Sequence, residues 1–190
     1  LYETTGDAVW LARAEEAARQ AASWVISYNF HMPKDSLTGR LGLHTTGAVF
    51  ANAQNKHAAP GICTMSGDSL LRLYRCTGKT AYLELLRDIS HAIPQFVSLA
   101  GRRLMTWDGV FLPEGFINER VQLSDWEGRE TIGEVRSGSC WPEVSMLLTY
   151  AEVPGIYADR HSGLVMALDH VDCTAQWRLD GSLALDIHNP

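Results

Sequence analysis

A loop that precedes a predicted helix carries three side chains suited to binding and proton transfer. Asn55, Lys56 and His57 place an amide, a cation and an imidazole in succession. An imidazole titrates near neutral pH and commonly transfers protons in catalysis. We therefore predict His57 as a catalytic group, with Asn55 and Lys56 binding sugar hydroxyls or a carboxylate. The alternative is that Asn55 and His57 only satisfy the backbone of their own loop.

A second segment combines carboxylates with aromatic rings. Cleavage of a glycosidic bond needs one carboxyl group held neutral as the acid and a second that acts as base or nucleophile. The sequence predicts this role for Asp125, Glu127 and Glu134. Trp107 and Trp126 would stack on the apolar face of a sugar ring and are predicted to bind substrate. The alternative is that these carboxylates are simply solvated in a surface loop.

Cysteine and histidine spacing predicts neither a metal site nor a cofactor. The cysteines at 63, 76, 140 and 173 form no CxxC pair, which excludes a zinc ribbon or a thioredoxin-like motif. Scattered cysteines of this kind are typical of buried thiols, so we expect a reducing, cytoplasmic compartment. Cys140, beside Trp141, is interpreted as a buried packing residue rather than a nucleophile.

Composition and charge restrict the classes of partner. The chain of 190 residues is 46% hydrophobic and 20% charged, which is typical of a globular protein. Its net charge is -6 and it has no run of Lys or Arg, so no nucleic acid or anionic membrane is expected as a partner. Apolar runs are far shorter than a membrane span requires.

Helical periodicity predicts the elements that position these residues. Residues 7–28 predict a core helix, with Asp7 as its N-cap and a stripe of alanine and tryptophan. Two further amphipathic helices, separated by a left-handed Gly78, predict an antiparallel hairpin, and the second has an apolar stripe at residues 82, 86, 89, 93 and 96. Pro142 opens another helix. Residues 29–62 and 101–139 are predicted to be irregular, apart from strand-like character at 45–53. Both stretches hold the candidate site residues.

The period changes from helix to strand after Pro154. Residues 163–168, 174–179 and 182–188 are β-rich or alternate, and Asp180-Gly181 is a typical hairpin turn. We therefore predict two domains. Residues 1–154 would form part of an α/α-barrel, and residues 155–190 would begin a β-sandwich that continues beyond the chain.

The segment at residues 70–83, LLRLYRCTGKTAYL, carries a resemblance to a known superfamily. It resembles the LLxLYxxTGxxxYL helical hairpin of the six-hairpin glycosidases, the α/α-toroid enzymes. The loop around Trp126, residues 138–149 and the strands after Pro154 also look like a toroid that runs into a β-sandwich. The resemblance implies a mainly α fold, a partial (α/α) toroid of helical hairpins with long loops, followed by β-strands.

The resemblance implies a carbohydrate substrate but not one reaction, because hydrolases, lyases and epimerases share the hairpin motif. The first expectation is a glycoside hydrolase fragment that uses carboxylate acid-base catalysis. A polysaccharide lyase or sugar epimerase would instead depend on Asn55, Lys56 and His57. The third alternative is a non-catalytic carbohydrate-binding or scaffold fragment that uses Trp107 and Trp126 only for stacking. No family's catalytic residues are carried over.

A partial toroid predicts self-association, or a requirement for an N-terminal part that precedes Leu1. The apolar stripe of residues 10–28 would lack its neighbouring helices and expose more than the few hundred Å² usual for a monomer. We expect the 190-residue chain to associate in size-exclusion chromatography with light scattering. A monodisperse monomer with a high melting temperature would contradict this expectation.

Overall fold

A computed structural model describes residues 1–52, 57–59, 68–136 and 141–189, with Asn52 described only in its backbone. Within these ranges the α-helices are α1 Tyr2–Thr5, α2 Ala8–Ala22, α3 Leu37–Leu41, α4 Asp68–Thr77, α5 Thr80–Gln95 and α6 Trp141–Glu152. Two short 3-10 helices span Asp125–Glu127 and Arg129–Thr131. None of the helices in the described ranges is long and apolar enough to cross a membrane.

The strands form three antiparallel sheets. The strands are β1 Val49–Asn52, β2 His57–Ala59, β3 Arg120–Gln122, β4 Val135–Arg136, β5 Ile156–Ala158, β6 Val165–Ala167, β7 Asp172–Trp177 and β8 Leu183–His188. The first four make one sheet in the order β1-β2-β3-β4, β5 pairs with β6, and β7 pairs with β8. The pair β7–β8 turns at Asp180-Gly181, as the sequence predicts.

The predicted mainly α fold, a partial toroid of helical hairpins, is wrong. The described residues form a mixed α/β structure without such a toroid. The four-stranded sheet arises from the two stretches that were predicted to be irregular, although β1 lies in the segment with strand-like character. Its strands are only two to four residues long, so their alternation is too brief to stand out in the sequence.

The helical hairpin formed by α4 and α5 is present as predicted. Gly78 adopts a left-handed conformation between the two helices, with φ 68°, and its N–H donates to the Tyr74 carbonyl. The predicted apolar stripe of α5 is buried throughout and consists of Tyr82, Leu86, Ile89, Ile93 and Phe96. A helical hairpin is therefore a correct local prediction, although it does not extend into a toroid.

The first long helix is shorter and more exposed than predicted. Asp7 caps α2 by accepting the N–H of Val9 at 2.9 Å, but the helix ends at Ala22 and only Ala18 is buried along it. Trp10 and Trp24 remain 42% and 40% exposed, so the interpretation of a core helix is wrong. After α2 the chain becomes extended and its backbone bonds to the segment around β1, where β-branched residues favour extended structure.

Helix α5 contributes to both halves of the hydrophobic core. Its C-terminal half, with Ile93 and Phe96, packs into a cluster that includes the buried sheet residues Val121 and Val135. Its N-terminal half, including Leu83, packs with residues of α2, α4 and the C-terminal strands. The four-stranded sheet is thus supported on one face by α5, which leaves its other face for polar side chains.

The backbone at Gly47 is the most constrained turn next to this core. Gly47 has φ 87°, and a Cβ there would lie 1.8 Å from the carbonyl oxygen of Asp88 on α5. We expect Gly47→Ala to lower the free energy of unfolding by at least about 2 kcal/mol, because the strained backbone and the clash cannot both relax. Urea denaturation followed by circular dichroism measures this. Gly101→Ala is the control, because a Cβ at Gly101 would meet no atom within 4 Å, and it should change the free energy of unfolding by less than about 0.5 kcal/mol. Equal effects would contradict the prediction.

Candidate functional site

The register of the four-stranded sheet separates an apolar face from a polar one. Ala58 pairs with Val121, and Val121 pairs with Val135, so these residues share a face because paired residues point to the same side. All three are fully buried. They face the core formed with α5, and the neighbouring positions along each strand must therefore point the other way.

The opposite face collects residues from three strands. His57 pairs with Gln122, and Arg120 pairs with Arg136. Side chains alternate along a strand, so these four residues lie on the face away from the core. The sheet therefore brings an imidazole, an amide and two guanidinium groups together from segments that are distant in the sequence.

Glu127 reaches this face from the 3-10 helix Asp125–Glu127. Its Oε2 accepts hydrogen bonds from Gln122 Nε2 at 2.6 Å and from Arg136 Nη2 at 2.7 Å. Its Oε1 lies 3.6 Å from Arg120 Nη1. One carboxylate thus links β3, β4 and the loop between them. We call His57, Arg120, Gln122, Glu127 and Arg136 the sheet-face cluster.

His57 is the titratable group of the sheet-face cluster that is best suited to accept a proton. It is 9% exposed, and its Nδ1 is buried without a hydrogen-bond partner among the described residues. Burial lowers the pKa of His57, and the charge of Arg120 lowers it further, while Glu127 and Glu119 oppose the shift more weakly. The lowered pKa favours the neutral imidazole, in which one ring nitrogen is unprotonated.

Trp107 covers part of the cluster. Arg136 Cζ lies 4.7 Å from the centroid of the Trp107 ring, which is a cation–π contact. The backbone N–H of Trp107 donates to the Val135 carbonyl at 3.1 Å. Trp107 is nevertheless 44% exposed, and Trp126, next to Glu127, is 59% exposed. Trp107 therefore lies against the cluster, whereas Trp126 is only the sequence neighbour of Glu127, and both residues retain accessible surface.

The other predicted site residues are placed differently. Glu134 Oε1 accepts the N–H of Leu37 at 2.9 Å, which ties the carboxylate to the first turn of α3. Asp125 is exposed to solvent. Asn55 and Lys56 lie outside the described residues, as does Cys140. The structure thus brings His57 and Glu127 into one cluster with Trp107, while Glu134 has a helix-capping contact instead.

Three members of the cluster were not singled out from the sequence. Arg120, Gln122 and Arg136 belong to strands of two or three residues, and nothing in their spacing links them to His57. The polar-apolar alternation of Arg120-Val121-Gln122 is the one available signal, and it becomes informative only once the pairing with β2 is known.

The histidines outside the sheet-face cluster form no metal centre within the described residues. No group of three or more His, Cys, Asp or Glu that could hold a metal occurs among residues 1–52, 57–59, 68–136 and 141–189. The His91 and His170 rings meet edge to face with centroids 5.6 Å apart. Two imidazoles alone fall short of the three protein ligands that zinc sites commonly have.

Comparison of the chain with protein-family models, with curated proteins and with solved structures gave no match. The resemblance to the six-hairpin glycosidases therefore depends only on the sequence motif. A functional conclusion must come from the chemistry of the sheet-face cluster.

The position of Glu127 predicts a stabilising role that can be measured. Glu127→Gln removes the charge that pairs with Arg136 and Arg120, so we expect the free energy of unfolding to fall by about 1–2 kcal/mol. Glu130→Gln, in an exposed turn three residues away, serves as the matched control and should have little effect. Urea denaturation of both variants provides the measurement. Similar losses in the two would show that the cluster contributes nothing specific.

Proposed function

We propose that this protein acts on a carbohydrate by proton abstraction, with His57 as the base, in the manner of a lyase or an epimerase. The observation that carries the proposal is the neutral, buried His57, whose Nδ1 lacks a partner among the described residues, on one sheet face with Arg120 and Arg136. The charge of Arg120 acts directly on His57, and a base beside a cation is suited to removing a proton whose loss creates negative charge on a neighbouring oxygen.

The chemistry requires a substrate carbon next to a carboxylate or a carbonyl group. His57 takes the proton from that carbon, and the bonding electrons move onto the adjacent oxygen, where guanidinium groups stabilise the charge. Return of a proton to the other side of the carbon gives an epimer. In elimination the electrons return from that oxygen to form a carbon–carbon double bond, the C–O bond at the next carbon breaks, and the leaving oxygen takes a proton from protonated His57 or from water, which cleaves the glycosidic bond.

The aromatic side chains supply the sugar-binding part of the proposal. Trp107 packs on Arg136, and Trp126 follows Asp125 in the 3-10 helix that carries Glu127. Both rings keep exposed area on which the apolar face of a sugar could stack. A ring bound there would lie on the face of the sheet that also carries His57.

The contacts of the carboxylates favour this reaction over hydrolysis by a carboxylate pair. Glu127 already accepts hydrogen bonds from Gln122 and Arg136. Glu134 is bound at α3 and Asp125 is exposed, so neither joins Glu127 in the cluster, whereas hydrolysis of this type needs two carboxyl groups across one sugar. Glycoside hydrolysis nevertheless stays a prediction that a product assay tests directly.

A non-catalytic carbohydrate-binding role is the second candidate. The exposure of Trp107 and Trp126 favours it, since stacking on aromatic rings requires no proton transfer. Binding of a sugar without any product would support this candidate.

His57→Gln tests the proposed reaction. We expect kcat/KM to fall at least about a hundredfold, the low end for a general base, with folding retained. His161→Gln, in the exposed turn between β5 and β6, is the control and should keep full activity. In the unmodified protein kcat/KM should rise with pH, with the midpoint of the rise below the ordinary histidine pKa of about 6.5, because the base must be neutral and its pKa is lowered.

The products distinguish the reactions. An unsaturated sugar that absorbs ultraviolet light indicates elimination, and a changed NMR coupling pattern without cleavage indicates epimerisation. New reducing ends without unsaturation would favour hydrolysis instead. Normal activity in His57→Gln would remove His57 from the mechanism.

A further inference from the structure

We infer that Arg136, assisted by Arg120, binds a carboxylate of the substrate, so that the sugar is an acidic one such as a uronate. This inference rests on the proposed function and specifies the group that makes the substrate proton acidic. It depends on the charges, the donors and the aromatic contact of the sheet-face cluster.

The guanidinium groups of the cluster attract an anion, although several acidic side chains surround them. Arg120 and Arg136 each carry a positive charge, and Glu127 carries a negative one. Asp108 also interacts electrostatically with Arg136, and Glu119 with His57. Recognition of a carboxylate therefore depends on the directed N–H donors of Arg136 and not on an excess of positive charge.

Arg136 has donor capacity that the described residues do not use. A guanidinium group has five N–H donors arranged to hold a carboxylate through two parallel bonds. Glu127 accepts from Arg136 through Oε2 alone, and it shares that oxygen with Gln122. Arg136 Nε is buried and has no partner among the described residues. A substrate carboxylate would satisfy donors that Glu127 leaves unused.

Trp107 lies beside Arg136 and offers a surface for the sugar ring. Arg136 Cζ is 4.7 Å from the centroid of the Trp107 ring, and a quarter of the Arg136 side chain remains accessible. Trp107 is itself 44% exposed, so a sugar can stack on it without moving it. A uronate ring on Trp107 would bring its carboxylate to the accessible donors of Arg136, the combination expected for recognition of an acidic sugar.

The test compares an acid with its neutral ester. Trisaccharides of galacturonate and of glucuronate, and the same sugars methyl-esterified, are titrated into the full chain by isothermal titration calorimetry. We expect the acids to bind at least about tenfold more tightly, and added salt to reduce this preference. Arg136→Gln should abolish the preference, Arg136→Lys should restore part of it, and Arg129→Gln, in an exposed turn, should leave it unchanged.

The outcomes separate this inference from the proposed function. Equal binding of acid and ester by the unmodified protein would overturn the inference, yet leave carbohydrate binding intact. Tighter binding of a sugar phosphate than of a uronate would overturn it too. Absence of binding by every sugar would contradict the proposed function itself. If Arg136→Gln remains folded and still prefers the acid, Arg136 is not the carboxylate-binding group.

Discussion

The pairing of β2 with β3 is the contact on which the candidate site depends. It places His57 opposite Gln122, and the further pairing of β3 with β4 adds Arg136. These strands are short, so backbone hydrogen bonds alone would hold them weakly. Two features compensate. Fully buried Val121 and Val135 pack the inner face against the core with α5, and Glu127 links β3 to β4 on the outer face.

The outer face carries polar groups whose burial is costly. His57 Nδ1 and Arg136 Nε are buried without partners among the described residues, and so are both amide atoms of Asn118, two residues before Arg120. Each such group costs about 1–3 kcal/mol, and native proteins retain few of them. The packing on the other side of the sheet offsets this cost. Four of the nine unpartnered buried atoms among the described residues belong to His57, Arg136 and Asn118, and such groups are candidates for contact with a ligand.

Sequence reasoning succeeded where one segment contains the whole pattern. The stripe of α5, the left-handed Gly78, the cap at Asp7 and the turn at Asp180-Gly181 depend on neighbours within a few residues, and all are observed. It failed for the overall fold because the four-stranded sheet depends on contacts between distant segments. It also failed for α2, since alanine spacing indicates a face but does not show that anything covers it.

The same distinction between local and long-range patterns explains which residues of the candidate site could be identified from the sequence. Single residue types identified His57 and Glu127, since an imidazole and a carboxylate carry chemistry wherever they lie. Their shared partners Gln122 and Arg136 could not be identified, because only the sheet register makes them neighbours. Those partners also change the chemistry. Beside tryptophan alone, Glu127 would be a candidate acid, but with Arg136 and Gln122 bound to it the carboxylate orients an arginine. The proposed proton transfer is therefore assigned to His57, whose pKa burial lowers.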